Sequence, residues 1–144
     1  MLLLSSKSIC QRRGTAHRGV AAVEFAIVAP IFFMVVLGII EFGRMSMVQQ
    51  VITNAAREGA RIAVLDGSTN AGVTNKINNY LIAASINGAT VTMTPDPPST
   101  AGFGQPVTVN VSIPFDNVSW LPTSIFLQGQ SLNATVVMRR ETVE

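Results

Sequence analysis

From Val20 to Ile40 the chain runs for 21 residues with one charge, Glu24. As a helix rising 1.5 Å per residue, that stretch is ~31 Å long, about the thickness of a bilayer's hydrocarbon core. Such a run reads as a single transmembrane helix, and the rest of the chain must be organised around it. Two details separate it from a generic anchor. Glu24 sits near its start, at a cost of ~2–3 kcal/mol on insertion scales, so the carboxylate needs a partner or a purpose. Gly19 stands five residues earlier, in the spacing Gly19-x-x-x-x-Glu24-Phe25.

Composition agrees with a membrane-tethered chain. Of 144 residues, 48% are hydrophobic and only 12% are charged, the latter about half the share of an ordinary soluble domain. Beyond the span and the segment before it, roughly a hundred residues remain, enough for one small domain. The charges are unevenly placed. Lys7, Arg12, Arg13 and Arg18 precede Val20 with no acid among them, whereas six bases and eight acids follow it, a net of −2. The pI of 9.2 therefore comes from the N-terminal segment and gives no support to nucleic-acid binding. The basic flank predicts a cytoplasmic N-terminus, with the C-terminal part carried across. The one cysteine, Cys10, also precedes Val20, so the remainder forms no internal disulfide.

Residues 1–19 lack an apolar core followed by a small-residue cleavage site, and so do not read as an ordinary signal peptide. The greasy run instead follows the basic residues. The glycine-to-glutamate spacing resembles the recognition site of prepilin-type leader peptidases, which cut on the cytoplasmic side and leave the apolar run in place. Cleavage would fall between Gly19 and Val20. An uncut single-pass anchor with an incidental glycine is the alternative. Glu24 likewise has two readings. It meets the α-amine freed at Val20, on its own or a neighbouring subunit, during assembly, or it snorkels to the nearby membrane surface.

Pro30 lies mid-span and has no N–H for Ala26, which predicts a bend or a loosened turn. Past the span, Val48, Ile52, Ala55, Gly59 and Ile62 recur every three or four residues, with Gln50, Asn54, Arg57 and Arg61 opposite. That is an amphipathic continuation of the same helix to about Leu65, closed by Asp66-Gly67-Ser68. Arg57, Glu58 and Arg61 read as a solvated face with a Glu58–Arg61 pair.

Val73, Ile77, Tyr80 or Leu81, and Ala84 predict a second helix from about Ala71 to Ile86, capped near Ser68–Asn70 and stopped by Asn87-Gly88. The period then becomes two. Ala89–Thr94, Gln105–Phe115 and Ser131–Arg140 read as strands, the middle one clearest because valines alternate with Thr108, Asn110 and Ser112. Pro95–Gly104 and Asp116–Gln130 read as loops. Phe103, Phe115, Trp120 and Phe126 are expected to be core or loop anchors, with an exposed sticky patch as the alternative. The expected domain map is therefore 1–19 leader, 20–41 transmembrane helix, 42–66 amphipathic extension and 67–144 small α+β domain. The fold class is α+β, with the outer helix packed on a small antiparallel sheet.

No enzyme is expected. His17 and Cys10, the only histidine and cysteine, both lie in the leader. This leaves no Ser/His/Asp or Cys/His constellation and no His/Cys metal site beyond it. There is no phosphate loop, and no cofactor is expected.

Three pieces together resemble the N-terminal region of the TadE-like family, minor pseudopilins of the tight-adherence (Flp) pilus system. They are the Arg18-Gly19-Val20-Ala21 start leading to Glu24-Phe25, the apolar run with Pro30 ending near Glu41-Phe42-Gly43-Arg44, and the block Ala55-Ala56-Arg57-Glu58-Gly59-Ala60-Arg61. The resemblance implies a pilin-like single-pass protein of the bacterial inner membrane, with its C-terminal domain in the periplasm. It further implies a role in pilus assembly, adherence and biofilm growth. The implied partners are the prepilin peptidase, reading Glu24 and Phe25, other pilins and pseudopilins, the assembly-platform proteins, and the lipid bilayer. An uncleaved, membrane-anchored binding module is the alternative function.

Overall fold

The computed structural model describes residues 16–122 and 124–140. The expected leader therefore lies largely outside the described residues. The chain divides between Leu37 and Gly38 into two compact units, each taken here by itself.

The first helix, α1, is Ala16–Ala63 (48 residues) and includes Pro30. It begins four residues before the expected start at Val20. Gly19 does not stop it, because an isolated helical glycine costs only about 1 kcal/mol relative to alanine. Up to Leu37 every side chain with a described exposure is exposed or half-buried. This is the stretch apolar on all sides, and α1 is long and apolar enough to cross a membrane.

From Gly38 onward α1 becomes one-sided. Val48, Ile52, Ala55, Ala56, Gly59, Ala60 and Ala63 are buried, while Gln50, Asn54, Arg57 and Arg61 face outward. The predicted stripe therefore holds. The helix ends where a side chain takes over its last carbonyls. Ser68 Oγ donates to Ala63 O at 2.8 Å, and Gly67 adopts the left-handed backbone that turns the chain (φ 71°).

The second helix, α2, is Asn70–Ala83. Thr69 caps it, its Oγ1 accepting from Gly72 N at 3.1 Å. Val73, Ile77 and Leu81, four residues apart, form its buried face. The helix stops three residues short of the predicted Ile86. Ser85 takes the left-handed conformation (φ 57°), Ser85 N donates to Ile82 O, and Ile86 N donates to Leu81 O, both at 2.9 Å. This is a Schellman ending with its usual hydrophobic contact between Leu81 and Ile86, both buried. It carries no glycine, so nothing at Ser85 announces it, and the Asn87-Gly88 stop comes after the helix has already closed.

Three strands follow: β1 (Thr90–Thr94), β2 (Pro106–Pro114) and β3 (Ser131–Arg139). They form an antiparallel sheet in the order β1-β2-β3. The register aligns Val91, Val111 and Ala134 across the sheet, and Met93, Val109 and Val136 beside them. These residues, with Val107, Ile113 and Leu132, share one core with the buried faces of α1 and α2. The opposite face aligns Thr92, Asn110 and Thr135, and beside them Thr90, Ser112 and Asn133. Alternation on β2 thus sorts apolar from polar as expected. The fold is α+β with one candidate membrane helix.

Arg140 closes the unit. Its guanidinium, almost fully buried, donates to Asp66 Oδ1 at 2.9 Å, Ser99 O at 2.6 Å and Ala101 O at 3.1 Å. It joins the exit of β3 to the end of α1 and to the loop between β1 and β2.

Ser85 pays for its left-handed backbone, a cost of roughly 1–2 kcal/mol for a residue with a Cβ. Ser85→Gly is expected to stabilise the domain by about 1 kcal/mol after allowing for the looser unfolded chain. Chemical denaturation with far-UV circular dichroism checks this; a loss of stability would contradict the capping geometry.

Candidate functional site

Apart from Pro30, which lies within α1, the sequence-predicted site residues fall in two places along that helix. Gly19, Val20, Glu24 and Phe25 are all exposed on the first unit. Gly19, Val20, Val23, Glu24 and Ile27 line one shallow, open surface groove there. Among the described residues no cation pairs with Glu24. The carboxylate therefore stands on an apolar helical surface beside the Gly19–Val20 bond. Ala26, Ile27 and Val28, on the same unit, are also exposed.

The Ala55–Arg61 block lies in the second unit and does two jobs. Its small residues let α2 come close. A methyl group built on Gly59 would lie 2.4 Å from Ile77 Cδ1 and 2.6 Å from Ile77 Cγ1, so the glycine is required by the packing. Its polar residues form a surface ion group. Arg61 binds Glu58 through two hydrogen bonds, at 2.9 and 3.1 Å, and Lys76 of α2 lies 3.5 Å from the same carboxylate. The hydrogen bonds from Arg61 hold the Glu58 carboxyl below its ordinary value, and Lys76 adds to the effect. Arg61 is correspondingly raised, chiefly by its hydrogen bonds to Glu58. The Glu58–Arg61 pair is present as expected, while Arg57 stays exposed.

A third arrangement was not anticipated. Glu41 and Arg44, one helical turn apart, are both buried and hold the loop between β2 and β3. Glu41 Oε1 accepts from Ile125 N at 2.5 Å, and Oε2 accepts from Phe126 N at 2.9 Å. Arg44 Nε donates to Val118 O at 2.8 Å, and its guanidinium lies 4.8 Å from the centre of the Trp120 ring. The Phe126 ring covers Gly38, where an added methyl group would lie 3.3 Å from Cε2. The loop is also ordered from within. Phe115 N donates to Gln130 O at 2.8 Å across its base. Asp116 accepts from Ser124 Oγ at 2.7 Å and from Gly129 N at 3.2 Å.

The four loop aromatics consequently separate. Phe115 is buried in the core, whereas Phe103, Trp120 and Phe126 remain exposed. The expectation that all four are core or loop anchors is corrected for Phe103, which is largely exposed at a turn. The signal that would have exposed the Glu41–Arg44 clamp was a paired acid and base at i, i+3, just beyond an apolar run. That spacing looks the same when the pair is solvated, and only the loop's position tells the two apart.

A carboxylate meets two parallel N–H groups with two acceptor oxygens, whereas glutamine offers one oxygen and turns an N–H₂ toward the other donor. Glu41→Gln is expected to cost about 1–3 kcal/mol and to speed hydrogen exchange at the Ile125 and Phe126 amides. Unchanged exchange at those two amides would rule out the clamp.

None of the curated proteins and none of the solved structures compared with the chain matches it. Residues 19–61 do match a family model, that of TadE-like protein. The match starts at Gly19, runs through Glu24, Pro30, Glu41 and Arg44, and ends at Arg61. Over that segment, less than a third of its length, the chain is similar to TadE-like protein.

Proposed function

We infer that this protein is a membrane-anchored structural subunit, a pseudopilin, required to assemble a tight-adherence pilus. The observation that carries the reading is the TadE-like match beginning at Gly19, followed five residues later by an acid on an exposed apolar helix. A prepilin-type peptidase cuts between Gly19 and Val20 after reading Glu24 and Phe25. The new α-amine of Val20 is then available to a Glu24 carboxylate, and a charge that is expensive in lipid gains an opposite charge. The chain acts by assembling with other pilins and with the platform proteins of the inner membrane, and through the fibre it supports adherence and biofilm growth. The C-terminal domain lies on the periplasmic side, in keeping with the basic flank before Val20.

The reading favours a structural role over catalysis because His17 and Cys10 would leave with the leader. Intact-mass measurement on the membrane-extracted protein tests the processing step. A chain beginning at Val20 is expected; a full-length chain would instead support an uncut, tethered binding module. Glu24→Ala is expected to insert normally and to abolish piliation, and normal pili on cells carrying it would refute the assembly role.

A further inference from the structure

The loop between β2 and β3 presents Trp120, Ile125 and Phe126 at its surface, 66%, 53% and 46% exposed. All three are fastened against helix positions 38–44. Phe126 covers Gly38, the amides of Ile125 and Phe126 bind Glu41, and Trp120 faces Arg44. Those are the positions at which the apolar run Val20–Ile40 gives out. Ile39 and Phe42 are exposed on α1 at the same level.

We propose that this loop is a membrane-interface foot, which sets Trp120, Ile125 and Phe126 into the headgroup–acyl boundary where α1 leaves the bilayer. The proposal rests on the membrane-anchored reading above. Three observations select lipid as the occupant. The first is continuity: a run of ~31 Å that begins at Val20 reaches the far edge of the hydrocarbon near Ile40, so a patch fixed at 38–44 meets the interface. The second is charge. Between Asp116 and Gln130 the only charged residue is Asp116, and its carboxylate is occupied by Ser124 and Gly129.

The third is polar satisfaction. Backbone groups pressed against lipid must find partners within the protein. Glu41 takes the two amides beside the apolar tip, and Arg44 takes the Val118 carbonyl. Tryptophan is the side chain most suited to this depth, with an apolar ring and one N–H for the headgroup layer. A second copy of the chain is the competing occupant.

Trp120 is the only tryptophan, so its emission reports the loop without labelling. The full chain is reconstituted in phosphatidylcholine vesicles and in matched vesicles whose lipids carry bromine on the upper acyl carbons. An independent depth probe, an environment-sensitive fluorophore on Met34→Cys in a Cys10→Ser background, reports whether α1 is inserted.

The expected result is a blue-shifted Trp120 emission that loses most of its intensity in the brominated vesicles and little to aqueous acrylamide, with position 34 reading hydrocarbon. Ile125→Glu, which leaves the Glu41 and Arg44 contacts in place, is expected to shift the emission toward that of water-exposed tryptophan. Red, acrylamide-quenched emission that ignores bromine, with position 34 still in hydrocarbon, overturns the foot alone. Blue emission that ignores bromine and grows with the protein-to-lipid ratio assigns the patch to a second copy and also overturns it. Position 34 reading water brings down the membrane-anchored reading together with the foot.

Discussion

One helix has to satisfy two different surroundings, and the change between them fixes where everything else attaches. From Val20 to Leu37, Glu24 aside, α1 is apolar around its circumference, a pattern that suits lipid because no water-facing side is left over. From Gly38 it is apolar on one side only, which suits a helix lying on a sheet. Val48, Ile52, Ala55 and Ala56 enter a core they cannot build alone, and α2 and the three strands supply the remainder. The strands need that cover equally, since a small sheet with one apolar face is not stable by itself.

At the changeover stand Gly38, Glu41 and Arg44. Burying an acid and a base there would be costly if either lacked partners. Here each faces a main-chain group of opposite polarity, so the irregular loop is tied to the helix by three hydrogen bonds. Farther along, Gly59 plays the complementary part. With no side chain of its own, it lets Ile77 rest on the helix backbone, and the ion group of Glu58, Arg61 and Lys76 then spans the outer edge of the same junction. Such exposed charges add little stability. The effect has a definite sign with pH: the Glu58 carboxyl is held below its ordinary value, so its contribution is complete above the unfolded-state value and fades as pH falls through the lower folded one.

Much of this was legible beforehand because two periods are hard to mistake. The 3.6-residue stripe from Val48 to Ile62 and the two-residue alternation from Val107 to Ile113 each describe a face, and each face is buried as read. Boundaries were less legible wherever a residue acted against type. Ser85 ends α2 in a conformation usually left to glycine, and Gly19 lies inside α1 rather than ahead of its start. The Glu41–Arg44 clamp was not legible as a clamp: the sequence shows only an acid and a base three residues apart. Its meaning depends on residues more than seventy positions away, and no local pattern encodes which loop will arrive. The sequence left the exposure of Trp120 open for a related reason: an aromatic in a loop looks the same whether it turns inward or outward.

The ion pair between Asp66 and Arg140 has an architectural consequence. It brings the turn that follows α1 beside the first residue after β3, so the segment between them enters and leaves at one point. The segment is therefore closed on itself in the path of the chain, while its core is completed by the buried face of α1. The TadE-like match stops at Arg61, just ahead of that junction.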